Sequence, residues 1–175
     1  MKNGYTLVEI LISFFIFMVI SGGIFLSFIS GTSTWYSSDA QIELQQELRK
    51  AIGYIADDLK LSGSSQLYVD SSLTQPFPAN GVSYSSIAFL VNQGITGSGA
   101  INWSSSPVSY TLSGNQVIRT NGTNSTIVAN KITGINFTRS ATLPYIVNIV
   151  LSAQKTAQSG RTVNSSLNTG IAVRN

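Results

Sequence analysis

The carboxylate of Glu9 lies where an ionised side chain is costly. It comes one residue before the 20 uncharged residues Ile10 to Ile29, most of which are Ile, Leu, Phe, Val and Met. A charge in a membrane span costs roughly 2.5–3.5 kcal/mol at the helix centre and less near the interface, and it usually serves to meet a partner. Glu9 is therefore either half of an ion pair in an apolar setting or a flanking acid at headgroup level. Its position alone favours neither reading.

The residue types needed for most enzymatic sites are missing. The chain has no His and no Cys, which removes triads with a His base, thiol nucleophiles, disulfides and zinc sites built from those ligands. Residues 71–175 contain no acid, so a two-carboxylate glycosidase or a magnesium-dependent phosphoryl transferase is excluded there. All seven acids lie in residues 1–70: Glu9, Asp39, Glu43, Glu47, Asp57, Asp58 and Asp70. We expect no enzyme, no metal and no cofactor.

The apolar run predicts a helix that spans a membrane. Twenty helical residues cover about 30 Å, the thickness of the hydrocarbon core. Trp35 and Tyr36 follow where aromatic rings favour the membrane–water interface, and Lys2 ahead of the run predicts a cytoplasmic N-terminus with the remainder exported. A secretory signal peptide cleaved near Ser30 is the alternative. The length of the run favours a retained span.

A second helix is predicted over 41–61. Leu44, Leu48, Ile52, Ile55 and Leu59 form one apolar stripe at three- and four-residue steps. The other faces carry charges, with Glu47–Lys50 and Asp57–Lys60 at pairing distance along the helix, and Gly63 is the expected C-cap. The polar residues 30–34 between the two helices either bend the chain or leave one rod of about 85 Å.

The remainder predicts short β-strands between turns rich in Ser, Thr, Asn and Gly. We expect an antiparallel sheet packed on the 41–61 stripe, hence an α+β fold, with a hairpin turn at 113–115 and a loop over 92–106. The predicted strands are 66–70, 86–91, 108–112, 116–120, 125–129, 134–139, 146–153 and 169–174. The expected divisions are 1–4 (leader), 5–34 (hydrophobic helix), 35–63 (amphipathic helix) and 64–175 (β-rich head).

The segment Gly4-Tyr5-Thr6-Leu7-Val8-Glu9 followed by an apolar helix resembles the N-terminus of type IV pilins and type II secretion pseudopilins. The resemblance implies cleavage between Gly4 and Tyr5 by a prepilin peptidase, N-methylation of Tyr5, and assembly from the bacterial inner membrane into a filament. Glu9 matches the family's acid at the fifth mature position and Thr6 the polar residue that accompanies it. Tyr5 departs conservatively from the usual Phe.

The implied cleavage gives Glu9 a partner. It frees a cationic amine at Tyr5, and Glu9 of one subunit would pair with the Tyr5 amine of its neighbour and so set the axial register. The other implied partners are further pilins or pseudopilins bound through the helix, the peptidase, an inner-membrane assembly platform and membrane lipid. Nucleic acid is a less favoured partner, because the bases of the acid-free region are scattered: Arg119, Lys131, Arg139, Lys155, Arg161 and Arg174.

A weaker resemblance concerns the subtype. Residues 47–63 are similar to the stem of W-type minor pilins and J-type minor pseudopilins, and residues 169–175 to the last strand of many minor pilins. Such subunits sit at the filament tip and help to start assembly. The chain lacks the Pro in the apolar helix and the C-terminal Cys pair of many major pilins. The alternative from another class is a signal-anchored extracytoplasmic binding or adhesion module.

Overall fold

The computed structural model describes residues 6–174, which begin with one long helix. Helix α1 runs from Leu7 to Lys60, 54 residues that rise about 80 Å. Thr6 is its N-cap, with extended backbone and a side-chain oxygen that accepts a hydrogen bond from the Glu9 amide at 3.3 Å. The helix ends at Leu61, whose amide donates to the carbonyl of Asp58 at 3.1 Å.

The helix is unbroken through the polar residues 30–34. The hydroxyls of Thr32, Thr34 and Ser37 donate to backbone carbonyls three or four residues earlier, at 2.9–3.0 Å. These hydroxyls are thus satisfied on the helix itself and do not pull the backbone into a turn. The rod is the alternative that forms, and the expected division between residues 34 and 35 falls inside it.

The described chain after α1 forms two antiparallel sheets where one was predicted. The larger has the order β1-β3-β5-β6-β7 with β4 paired to β3, and the smaller has the order β10-β9-β8-β2. The strands are β1 (Ser62–Tyr68), β2 (Ser83–Tyr84), β3 (Ile87–Ile95), β4 (Ile101–Trp103), β5 (Val108–Ser113), β6 (Gln116–Asn121), β7 (Asn124–Asn130), β8 (Ile132–Arg139), β9 (Ile146–Thr156) and β10 (Thr162–Ala172).

Two local predictions are wrong. The region 92–106 is a hairpin and not a loop, because the amide of Thr96 donates to the carbonyl of Ala100 at 2.8 Å and closes the turn between β3 and β4. Gly63 does not cap α1 but lies within β1. A Cβ at Gly63 would come within 2.8 Å of the Trp103 ring, so the absence of a side chain there lets that ring pack. The predicted hairpin at 113–115 is confirmed, with Gly114 at φ +57°.

The core lies between the sheets and the second half of α1. Of the predicted stripe, Leu44, Leu48, Ile55 and Leu59 are fully buried while Ile52 is only partly buried. The small residues Ala40 and Ala51 complete the buried face. Burial of such side chains contributes about 2–5 kcal/mol each, judged by the cost of truncating a buried Leu to Ala. The predicted α+β class is confirmed: one long N-terminal helix packs on antiparallel sheets.

Candidate functional site

The first half of α1 buries nothing against the described chain. Its large apolar side chains from Leu7 to Ile29 are 48–78% exposed. By length and composition this helix is able to cross a membrane, although a signal sequence would pass the same test. An apolar surface this long needs lipid or other apolar helices around it.

Two serine hydroxyls in this segment form hydrogen bonds with the backbone of the helix itself. The hydroxyl of Ser13 donates to the Glu9 carbonyl at 2.8 Å, and that of Ser27 donates to the Gly23 carbonyl at 3.0 Å. In hydrocarbon each unsatisfied polar group costs several kcal/mol, so hydroxyls that bond their own helix carry little penalty.

Glu9 is left with an unpaired carboxylate among the residues that the structure describes. Its amide is used by the Thr6 cap, but its side chain is exposed and takes part in no ion pair within residues 6–174. The sequence Thr6-x-x-Glu9 fits a capping box, in which the carboxylate would reach back to the Thr6 amide. That second bond is absent among the described residues, so Glu9 remains available for an outside partner. The predicted sites Gly4 and Tyr5 lie outside the described residues.

Acids in the second half of α1 bond the sheets to the helix, a role that the sequence did not reveal. Glu43 forms ion pairs with both Lys131 and Lys155. A carboxylate oxygen of Glu47 accepts the amide of Asn130 at 2.6 Å, at the end of the edge strand β7. The predicted Glu47–Lys50 pair is not among the ion pairs of the described residues, because Glu47 turns to the sheet. The predicted Asp57–Lys60 pair forms at 3.7 Å but is largely exposed, so it contributes at most about 1 kcal/mol.

The most enclosed of these ties joins Asp58 to Arg119 and Tyr110. The Arg119 guanidinium donates two hydrogen bonds to the Asp58 carboxylate at 2.6 and 3.2 Å, and the Tyr110 hydroxyl donates a third at 2.5 Å. The Asp58 and Arg119 side chains are only 17% and 25% exposed. Burial raises the pKa of Tyr110 well above its usual range and the bond to Asp58 adds to the rise, while the bond to Asp58 raises the pKa of Arg119.

The raised pKa of Tyr110 predicts a stability loss at high pH. The Tyr110 phenol has a higher pKa in the folded chain than in the unfolded chain, where it is near 10. The protonated phenol therefore stabilises the fold fully below pH 10, and this stabilisation is lost as the pH rises above 10. Between pH 10 and 11.5 the wild type should lose up to about 1.4 kcal/mol per pH unit more than Tyr110→Phe. Urea unfolding at each pH measures the difference, with Tyr54→Phe, at an exposed helix position, as the matched control. If the free energy of unfolding falls with pH equally in the wild type and in Tyr110→Phe, the hydrogen bond between Tyr110 and Asp58 does not stabilise the fold as we describe.

No metal centre is evident in residues 6–174, where no three residues of the types His, Cys, Asp and Glu are grouped to hold an ion. The expectation that the protein needs no cofactor stays a prediction. Glu43, Glu47 and Asp58 instead bond the sheets, Glu9, Asp39 and Asp57 lie exposed on the helix, and Asp70 lies in the turn after β1.

Comparison with known proteins bears on the N-terminus. Residues 1–25 match the family model described as the prokaryotic N-terminal methylation motif. No curated protein matches the chain. The family match supports a type IV pilin-like protein, as the resemblance of residues 4–9 indicated, and such proteins are structural rather than catalytic.

Proposed function

We propose, from this family match, that the chain is a structural subunit of a type IV pilus or a type II secretion pseudopilus. A prepilin peptidase cleaves it between Gly4 and Tyr5, and the new terminus at Tyr5 is N-methylated. The subunit then resides in the bacterial inner membrane as a single-pass protein, and an assembly platform extracts it into a filament.

The observation that carries this proposal is the division of one helix into two surfaces. From Leu7 to Ile29 the helix buries nothing, whereas from Ala40 to Leu59 it forms the core of the head. Because there is no break between the halves, one continuous helix joins the head to the apolar segment. Such a rod suits two successive environments, first lipid and then a bundle of like helices.

Glu9 and Tyr5 provide the register of that bundle. Cleavage leaves an ammonium group at Tyr5 and a carboxylate four residues later, both in an apolar setting where an unpaired charge is expensive. Because Glu9 is free of ion pairs to the described residues, it is available to the Tyr5 amine of a neighbouring subunit. Pairing occurs at one axial offset alone, as a single buried polar residue fixes the register of a coiled coil. Thr6 supports this by capping the helix.

We assign the subunit to the minor or tip class and place its head outside the cytoplasm. The stem at 47–63 that resembles minor subunits includes Glu47 and Asp58, which bond the head directly. Lys2 keeps the N-terminus cytoplasmic and the exposed Trp35 lies at the opposite membrane interface.

Replacing Glu9 by Ala tests the register role. Membrane insertion and cleavage should be unchanged, because the apolar run and Gly4 are intact, while the amount of subunit in sheared filaments should fall at least about tenfold, equivalent to 1.4 kcal/mol. Quantitative immunoblotting of sheared and membrane fractions measures this. Glu9→Gln should behave like Glu9→Ala, since the charge is what pairs.

Two controls separate this role from helix capping. Ser13→Ala removes a hydroxyl one turn further on and should leave incorporation unchanged. Thr6→Ala removes the cap, worth about 1 kcal/mol, and should cause a milder loss than Glu9→Ala. Normal incorporation of Glu9→Ala, or equal losses for Glu9→Ala and Thr6→Ala, would count against the ion pair.

A further inference from the structure

The outer edge of β10 is an open β-strand of unusual length. Strand β10 pairs with β9 over eleven consecutive residues without a bulge and is the last strand of its sheet. The bonds Ala157–Arg161 and Val173–Tyr145 at the two ends of the ladder fix its pattern, so that the odd-numbered residues of β10 bond β9. The even-numbered residues point their amides and carbonyls outward, from Thr162 to Ala172.

These outward groups have no partner in the described chain. No hydrogen bond joins the backbone of residues 162, 164, 166, 168, 170 or 172 to any residue in the range 6–174, and their side chains are exposed. The open edge stops at Arg174, whose amide and carbonyl pair with Ser62 and Ser64 of β1. An extended chain laid along the edge would therefore find six amides and six carbonyls over about 35 Å.

The other long edges are protected, which sets β10 apart. Strand β1 is bonded on its outer side by residues 75–77 and by Arg174. Strand β7 is made irregular by a register shift against β6, and its last amide is bonded by Glu47. Natural proteins usually guard an exposed edge with Lys, Pro, a bulge or a short strand. Strand β10 has none of these: its sequence is Thr-Val-Asn-Ser-Ser-Leu-Asn-Thr-Gly-Ile-Ala.

The surface beside this edge is basic. Two shallow grooves of about 140 and 460 Å³ run between β10 and the polar face of α1, and their linings include Gln41, Gln45, Arg49 and Arg161 but no acid. Neither arginine takes part in an ion pair within the described residues. An unpaired guanidinium group in each of the two grooves favours carboxylates on the incoming chain.

We propose that the β10 edge binds an extended, acidic segment of another protein as an additional antiparallel or parallel strand. Backbone bonds to the even-numbered residues give the affinity, and Arg49 and Arg161 select for acidic side chains. A second copy of this chain is a poorer occupant. Its residues 71–175 carry no acid, and an antiparallel pair of β10 strands would bring Arg161 of each near Arg174 of the other. The inference concerns β10 and the adjoining part of α1 and does not depend on filament assembly.

Hydrogen exchange of the full-length protein in detergent micelles tests the proposal. The probe is an end-blocked eleven-residue peptide that alternates Thr and Glu, compared with its Thr–Lys counterpart. The Thr–Glu peptide should slow exchange at amides 164, 166, 168 and 170 at least about tenfold and should bind at least about tenfold more tightly than the Thr–Lys peptide, as fluorescence anisotropy measures. Absence of protection at these amides, or equal binding of the two peptides, would overturn the proposal.

Variants separate backbone pairing from charge. Ser166→Pro removes an outward amide and leaves the hydrogen bonds to β9 intact, so the sheet should still form. Peptide binding should weaken at least about tenfold. Ser166→Ala keeps the amide and is the matched control, which should bind normally. If circular dichroism shows that Ser166→Pro does not fold, Asn168→Lys is the second variant. A Lys on the same edge disfavours pairing with another strand, so this variant should also weaken peptide binding. Arg49→Gln with Arg161→Gln should abolish the preference for Glu over Lys, whereas Lys50→Gln, outside the groove, should not.

Self-association is the competing outcome. If sedimentation shows dimers that Ser166→Pro abolishes and the Thr–Glu peptide does not displace, the edge pairs with a second copy and the acidic partner is wrong. Normal peptide binding by a folded Ser166→Pro variant would overturn the role of the edge itself.

Discussion

A chain carrying Gly4→Val should accumulate as the uncleaved precursor. A protease binds its substrate in extended form, and a residue without a side chain at the cleaved bond fits where a β-branched one collides. We expect the cleaved fraction to fall at least about tenfold and filament incorporation to fall with it, because the Tyr5 amine is never freed. Intact-mass measurement of the membrane fraction resolves precursor from mature protein.

The neighbouring position supplies the control for this variant. Asn3→Val adds the same side chain one residue earlier, away from the bond that is cut, and should leave cleavage largely unchanged. Efficient processing of Gly4→Val, or an equal block in Asn3→Val, would contradict cleavage between Gly4 and Tyr5.

Removal of the Asp58 carboxylate should produce a large loss of stability. Asp58→Ala leaves the Arg119 guanidinium and the Tyr110 hydroxyl poorly solvated and without their shared acceptor. Breaking one side of a fully buried pair costs about 3–5 kcal/mol, and this partly exposed pair should lose up to that amount. Such a loss is a large part of the stability of an ordinary domain. Urea unfolding of the full chain in detergent, followed by circular dichroism, measures the loss.

Two comparisons make this prediction specific. Asp57→Ala, one residue earlier, removes an exposed pair with Lys60 and should cost less than about 1 kcal/mol. Adding Arg119→Met to Asp58→Ala should recover part of the loss, because the unpaired charge is then gone. Equal losses for Asp57→Ala and Asp58→Ala, or no recovery in the double variant, would show that the network does not hold the head on the helix.

The features that the sequence predicted correctly depend on local spacing. The stripe of Leu44, Leu48, Ile55 and Leu59 follows from a 3.6-residue period, and the apolar span from length and composition. The 113–115 turn follows from a Ser-Gly-Asn step between two β-rich runs. The Thr6 cap was open to prediction from the Thr-x-x-Glu spacing, although Thr6 was assigned from the family resemblance alone.

The features that were missed depend on contacts between distant residues. Glu47 was assigned to Lys50, three residues away, because the edge amide of Asn130 is 83 residues further on and has no mark in the sequence. The region 92–106 was predicted to be a loop, yet its residues 96–100 form the turn of a hairpin between β3 and β4. Gly63 resembled a helix cap because its contact with Trp103 arises only once β4 is in place.

The distribution of charges along the sequence nevertheless indicated the ion pairs between the helix and the sheets. Residues 71–175 have no acid and contain Arg119, Lys131 and Lys155, whereas the second half of α1 contains Glu43 and Asp58. Charges segregated in this way pair when the two parts fold together. The sequence interpretation used the scattered bases only to disfavour nucleic acid as a partner. Which base meets which acid depends on strand order, which the sequence does not determine.

The N-terminal residue of the protein purified from membranes and from sheared filaments tests the central claim most directly. Our account predicts that intact mass and terminal sequencing will both place the start at an N-methylated Tyr5, in the membrane and in the filament alike. A polypeptide that begins at Met1 would contradict it and favour a signal-anchored binding module. A terminus near Ser30 would contradict it equally, because that cut would remove the apolar helix on which assembly depends.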